Sequence, residues 1–160
     1  MKVLIAVDLS GVGETLLANL TKRHWPSDTE FYVITVIEST TGRFAYEPFE
    51  GSPEDLDIAI KIAGDRLSGF MQQLKLHVPH ATVTGGAVAG GAVEAIIAKA
   101  AQIGADLIVV GHQGSYHQGG YSLGGVAERV VQHAPCSVIV VKPKIQIKEL
   151  AAVTAQGVEK

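Results

Sequence analysis

Four short apolar runs punctuate the chain: Val3–Val7, Tyr32–Ile37, Leu107–Val110 and Ser137–Val141. Valine and isoleucine dominate them, and polar residues barely interrupt them. An unbroken run, as opposed to an alternating one, suits a strand buried on both faces of a parallel sheet. A fifth segment, Ala81–Ala89, alternates more and is expected at an edge. Helical spacing fills the intervals. Leu16, Leu17 and Leu20 mark one helix within Glu14–Lys22. A long stripe from Leu56 to Leu74 marks a second over Pro53–Leu76, and Pro53-Glu54-Asp55 suits its start. Ala92–Ile103, closed by Gly104, is a third, and Val126–His133, closed before Pro135, a fourth. Strands and helices thus alternate. Right-handed crossovers turn that alternation into an α/β, doubly wound, five-stranded parallel sheet with helices on both faces.

Composition narrows the classes. The chain has 160 residues, one ordinary domain, with 47% apolar and 18% charged residues. Thirteen basic against sixteen acidic residues leave a net charge of −3, which gives no electrostatic footprint for nucleic acid or an acidic membrane. The one cysteine, Cys136, excludes an intramolecular disulfide and reads as a small buried apolar residue. The opening apolar run is too short for a signal peptide and no run approaches a membrane span, so a cytoplasmic protein is expected.

In a doubly wound sheet, ligands bind beyond the carboxyl ends of the strands where strand order reverses. The loops after the first and fourth strands are the ones concerned. After the first comes Asp8-Leu9-Ser10-Gly11-Val12-Gly13. A carboxylate there either caps the next helix or accepts hydrogen bonds from a ligand's hydroxyls or amine. After the fourth comes Gly111 to Gly125, in which six of fifteen residues are glycine. Glycine lets a ligand approach the main chain closely, and successive N–H groups can line an anion-binding nest. This loop runs into a helix N-terminus, which adds unpaired N–H groups and partial positive charge. It lacks the Gly-Lys-Ser/Thr of a Walker A loop, and it follows a late strand, unlike a dinucleotide fingerprint.

These residues carry a resemblance. Gly111-x2-Gly114-x9-Gly124 followed by Gly125 resembles the phosphate motif of ATP-binding universal stress proteins, G-x2-G-x9-G-(S/T). Ile5-Ala6-Val7-Asp8, Ala105 to Gly111, Ala127 to Val130 and His133 to Val141 are similar to that family's strand 1, strand 4, helix 4 and strand 5. The resemblance covers residues 1–142, the expected nucleotide-binding domain. It implies an adenine nucleotide alpha hydrolase-like sheet of strand order 3-2-1-4-5, and a stress-response protein that binds ATP (or ADP or AMP), with Mg2+ accompanying the triphosphate. By position, Asp8, continued by Leu9 and Ser10, would meet the ribose and base. Val36 would face adenine, and Val88 to Gly90 would sit beside ribose and base. Gly111, Gly114, Gly124 and Gly125, with His112, Ser115 and Val126, would surround the phosphates. The resemblance further implies a regulatory homodimer joined through the last strand, Ser137–Val141, with little or no hydrolysis.

One departure stands out: the motif's Ser/Thr is Gly125 here. That hydroxyl would cap the fourth helix, with Glu128 completing a capping box, and would reach a phosphate. Gly in its place costs the helix only a few tenths of a kcal/mol, whereas a lost charge-assisted hydrogen bond is worth ~1.5–3 kcal/mol. Ser115 or Ser122 could replace it. Two rival readings remain. One is a nucleotide-free dimerisation module using Ser137–Val141 and Ile145–Ile147. The other is an ATP pyrophosphatase-type enzyme, faintly suggested by Ser10-Gly11-Val12-Gly13-Glu14-Thr15, though Val12 is a poor host for a phosphate. No base and nucleophile pair announces catalysis. The histidines (His24, His77, His80, His112, His117, His133) are expected to face solvent, with His112 or His117 able to touch a phosphate tail. Residues 143–160 form a C-terminal extension, with Lys144–Lys148 as a short further strand and a frayed end.

Overall fold

The structure is a computed structural model; it describes residues 1–9, 13–38, 51–112 and 123–143. Nine elements alternate along the chain. They are β1 (Lys2–Ala6), α1 (Gly13–Leu20), β2 (Glu30–Glu38), α2 (Pro53–His77), β3 (Thr82–Gly90), α3 (Ala92–Ile103), β4 (Leu107–Gly111), α4 (Gly125–His133) and β5 (Ser137–Val141). The five strands form one parallel sheet in the order β3-β2-β1-β4-β5. The weakly alternating strand is an edge, as its pattern predicts. The expected strand at 144–148 lies outside the described residues.

Why the apolar runs are unbroken is visible in the two cores. Val3, Ile5 and Val7 of β1 and its extension, with Phe31 and Val33 of β2, point to one face. There they pack against Leu16 and Leu20 of α1 and Leu67 and Leu74 of α2. Leu4, Ile34, Ile108 and Val110 point to the other face and pack against Val93, Ile96 and Ala100 of α3 and Ala127 and Val130 of α4. Each central strand feeds both layers, so apolar residues dominate it, with Thr35 of β2 a buried polar exception.

Local chemistry sets the helix ends. Ser52 caps α2 and Pro53 opens it; the Ser52 hydroxyl accepts the Asp55 N–H at 3.2 Å while the Asp55 carboxylate accepts the Ser52 N–H at 2.9 Å. This reciprocal box holds the Asp55 carboxyl below its ordinary value, first through the Ser52 main chain and then through its hydroxyl at 2.8 Å. A carboxyl lowered by folding stabilises above its unfolded pKa of 3.8, and the gain is lost as pH falls through the folded value. Ser52→Ala should therefore lower Tm by about a few degrees at neutral pH. The gap to wild type should narrow in acid without closing, because the bond from the Asp55 N–H to the Ser52 hydroxyl does not depend on the carboxylate charge; thermal melts across pH check both. At the other end of the α/β unit, Gly104 closes α3 at φ 62°, a left-handed position natural to glycine.

The helix boundaries differ from expectation at one informative place. The fourth helix begins one residue early. Gly124 is its N-cap, extended at φ −63° and ψ 147°, and its carbonyl accepts the Glu128 N–H at 2.9 Å. Gly125 is therefore the first helical residue, and Glu128 lies one position beyond the capping-box site. No side chain caps this helix.

Candidate functional site at the carboxyl ends of the strands

The sheet is stepped at its carboxyl edge. β1 ends at Ala6, level with Ile34 on one side and Val110 on the other. β2 and β3 run on together for four more pairs, Thr35 with Ala87 through Glu38 with Gly90. At about 3.3 Å per residue that raises a two-stranded wall about 13 Å above the end of β1. The step exists because Val7 leaves the ladder after one last bond, its N–H donating to the Ile34 carbonyl at 2.9 Å. Asp8 and Leu9 then turn away at the foot of the wall. On the far side stand Gly111, paired with Val141, and the start of α4. Strand order reverses between β1 and β4, so this is the switch-point crevice.

The far bank is tied together by main chain. The His112 N–H donates to the Val141 carbonyl at 2.8 Å, and the His112 carbonyl accepts the Gly124 N–H at 2.9 Å. The second bond joins the two ends of the glycine-rich loop, so the first turn of α4 begins beside the end of β4. By helix geometry the N–H groups of Gly125, Val126 and Ala127 have no intrahelical acceptor, and the helix dipole adds partial positive charge at the same end. Nine residues of helix stand behind that terminus.

His112 departs from the solvent-facing reading. Clamped on both sides by its own main chain, it is only 6% exposed, and its Nε2 is buried with no hydrogen-bond partner among the described residues. Burial, and secondarily the charge of Lys142, push the imidazole below its ordinary value of 6.5, so the neutral ring is favoured. His24, His77, His80 and His133 are exposed, as expected, and His117 lies outside the described residues. Cys136 is half-buried against the α3–α4 core, and burial, then Asp106, pushes its thiol up, away from the reactive thiolate.

The remaining sequence-derived positions fall as follows. Asp8 lies at the foot of the wall, half-buried and already engaged in an interaction. Leu9 packs its side chain on the α1–α2 core, and Val126 packs on the α3–α4 core. Val36 and Val88 are register partners on the α3 side of the wall, and Val88 is 39% exposed. Gly90 ends β3 at φ 142°, a backbone angle that side chains rarely adopt. Ser10, Gly114, Ser115 and Ser122 lie outside the described residues. Among the described residues no cluster of three or more His, Cys, Asp or Glu side chains is placed to hold a metal ion.

One feature escaped the sequence reading. Below the wall, between α3 and the β2–β3 pair, runs an open hollow of about 730 Å³. Tyr32, Ile34, Gly86 and Val88 floor it, and Ala98 and Lys99 border it. It exists because α3 covers β1 and β2 but not the edge, and because Gly86 leaves its place on the floor empty. Gly85 next to it serves packing instead, since a Cβ there would lie 1.9 Å from the Val33 carbonyl oxygen. The Gly85-Gly86 pair was the available signal. This hollow opens on the flank of the sheet, whereas the orphaned His112 nitrogen and the α4 N-terminus mark the crevice above it.

Comparison with known proteins agrees with this architecture. No curated protein sequence matches the chain significantly. Among solved structures, the universal stress protein UspA from Lactobacillus plantarum superposes with a TM-score of 0.70 at 23% identity, covering 88% of this chain and 97% of that one. A universal stress protein family protein from Arabidopsis thaliana with AMP bound gives 0.61 at 20% identity, covering 90% and 92%. The universal stress protein from Archaeoglobus fulgidus in complex with dAMP gives 0.55 at 23%, covering 89% and 98%. These likenesses establish the fold. The model of the universal stress protein family matches residues 1–142, and the chain belongs to that family.

Proposed function

We propose that this chain binds an adenine nucleotide, ATP foremost, in the crevice between Asp8 and Gly111, and acts in stress response as a nucleotide-dependent regulatory homodimer with little or no hydrolysis. The observation that carries this reading is the start of α4. Three main-chain N–H groups without helical acceptors and a helix dipole lie where the glycine-rich loop closes on β4, and His112, whose main chain is bonded to the helix N-cap there, carries a buried imidazole nitrogen with no partner among the described residues. That donor set matches an anionic polyphosphate better than any neutral ligand. The wall offers Val36 and Val88 as apolar contacts for a base, and Asp8 is placed for ribose hydroxyls. The AMP and dAMP complexes of the two relatives support the same ligand class. ADP and AMP fit the same cradle with fewer phosphate contacts. Mg2+ would travel with the triphosphate, and no side-chain ligand is assigned to it.

Dimerisation is placed at β5, an outer strand of the sheet whose residues Ser137-Val138-Ile139-Val140-Val141 carry no charge. A cytoplasmic location goes with this reading, and no helix among the described residues is long and apolar enough to cross a membrane. A second reading is favoured by one observation. Position 125 carries no hydroxyl, which leaves the cradle one donor short and is what a nucleotide-free dimerisation module of the same fold would show.

Calorimetry of the purified protein with ATP, ADP and AMP, with and without magnesium, separates the two. Saturable ATP binding, or nucleotide absorbance that co-purifies with the protein, supports the nucleotide reading. Absence of binding by all three in both conditions overturns it in favour of the module.

A further inference from the structure

We propose that His112 is the proton-linked phosphate ligand of this site: its imidazole takes up a proton as an anionic polyphosphate enters the crevice. The inference rests on the nucleotide reading and adds to it a regulation by pH. Three observations carry it. First, the residue is held at the site by main chain, with its N–H on Val141 and its carbonyl on Gly124, the N-cap of α4. Its main chain cannot move away without opening the bond to Val141 or the helix start. Second, the residue is only 6% exposed, yet Nε2 has no partner among the described residues. A buried polar atom left unpaired is costly, and a bound ion is one of the things that explains it. Third, a loop with neither Lys nor Arg must neutralise several phosphate charges. His112 and His117 are the only titratable side chains in that loop that become cationic near neutral pH.

The charges around His112 set the direction. Lys142, just beyond β5, disfavours the imidazolium, as burial does. The N-terminus of α4 acts in the same sense through its dipole. Asp8 beyond β1, Glu14 in the first turn of α1, Glu38 at the end of β2, and Glu128 with the following Arg129 in α4 are the other ionisable groups that the described elements bring to this end of the sheet. In the empty protein the imidazole titrates below its unfolded value, so folding stability is full above about pH 6.5 and falls as the medium becomes more acidic. A bound polyphosphate inverts the balance. Its negative charge favours the imidazolium, the orphaned nitrogen gains an acceptor, and binding strengthens as protons become available.

The test is calorimetry with MgATP and with adenosine at about pH 6 and about pH 8, in buffers of different ionisation enthalpy, on wild type and His112→Gln. Ring resonances of the wild-type histidines are followed by NMR with and without MgATP. Wild type should take up at most about half a proton per ATP, and its affinity should rise relative to His112→Gln by up to about tenfold from about pH 8 to about pH 6, as one unit of linked pKa shift requires. The His112 resonance should titrate below the other histidines and move up when MgATP binds. Adenosine should show no proton uptake. Tight ATP binding with equal proton uptake in both proteins, or a His112 resonance that MgATP leaves unmoved, overturns this inference alone. No ATP heat at either pH overturns the nucleotide reading and this inference with it. The NMR arm uses wild type only, so a folding defect in the variant does not blunt the test.

Discussion

Gly125→Pro should weaken ATP binding roughly 10- to 150-fold while leaving the protein as stable as wild type, the factor being that of one hydrogen bond to a charged group. Position 125 is the first residue of α4, where proline is the best tolerated because its ring presets the helical φ and the missing N–H had no helical partner. The residue before a proline must be extended, and Gly124 already is, at φ −63° and ψ 147°. Replacing glycine by proline also reduces the freedom of the unfolded chain, which offsets small local losses. The substitution therefore deletes one candidate phosphate donor without touching the helix. The companion Gly125→Ser restores the hydroxyl of the family motif and should raise affinity by a few-fold. Calorimetry gives both affinities and differential scanning calorimetry gives both Tm values. Wild-type ATP affinity in Gly125→Pro, with Tm unchanged, would remove α4 from the phosphate cradle.

The contrast between what the residues announced and what they concealed has a physical origin. β1, β2 and β4 were legible because each is buried on both faces; Val3 and Ile5 serve one core while Leu4 serves the other, and an unbroken apolar run has few alternative fates. The edge position of β3 was legible for the converse reason, since exposure readmits threonine and glycine to the pattern. The glycine-rich loop was legible because so many glycines within fifteen residues oppose every regular element. The start of α4 was not. Gly124 and Gly125 both lack side chains, so no capping signal distinguishes them, and which becomes the N-cap is decided by the Gly124–His112 bond, a contact across the loop. The burial of His112 was hidden for a similar reason. A histidine among glycines reads as solvated until main-chain bonds to β5 and α4 are known. The flanking hollow depends on where α3 lies across the sheet, which helical periodicity alone does not report.

Phe31→Ala should cost about 3–5 kcal/mol, a large share of the 5–15 kcal/mol that holds a typical domain folded. Phe31 is the largest of the fully buried side chains, at 0% exposed, and lies among Val3, Val33, Leu67 and Leu74 beneath α2. Its ring meets Trp25 edge-on at 5.1 Å and 86°, and Trp25 is fixed in turn by its Nε1–H on the Leu20 carbonyl at 2.8 Å. Truncation thus leaves a cavity and also removes an aromatic contact worth about 0.5–1.5 kcal/mol. Trp25 is the sole tryptophan, so its fluorescence in a urea titration reports the midpoint directly. The same variant tests whether the crevice is built independently of this core. Phe31 points to the α1–α2 side, whereas Val36, five residues along the same strand, packs on the α3–α4 side. Folded Phe31→Ala should therefore bind ATP with wild-type affinity. ATP at 100 times its Kd should return about 2.7 kcal/mol of the lost stability to both proteins alike. A midpoint that ATP raises in wild type but not in Phe31→Ala would mean that the two faces of the sheet are coupled, and that the wall beside the crevice takes its shape from the opposite core.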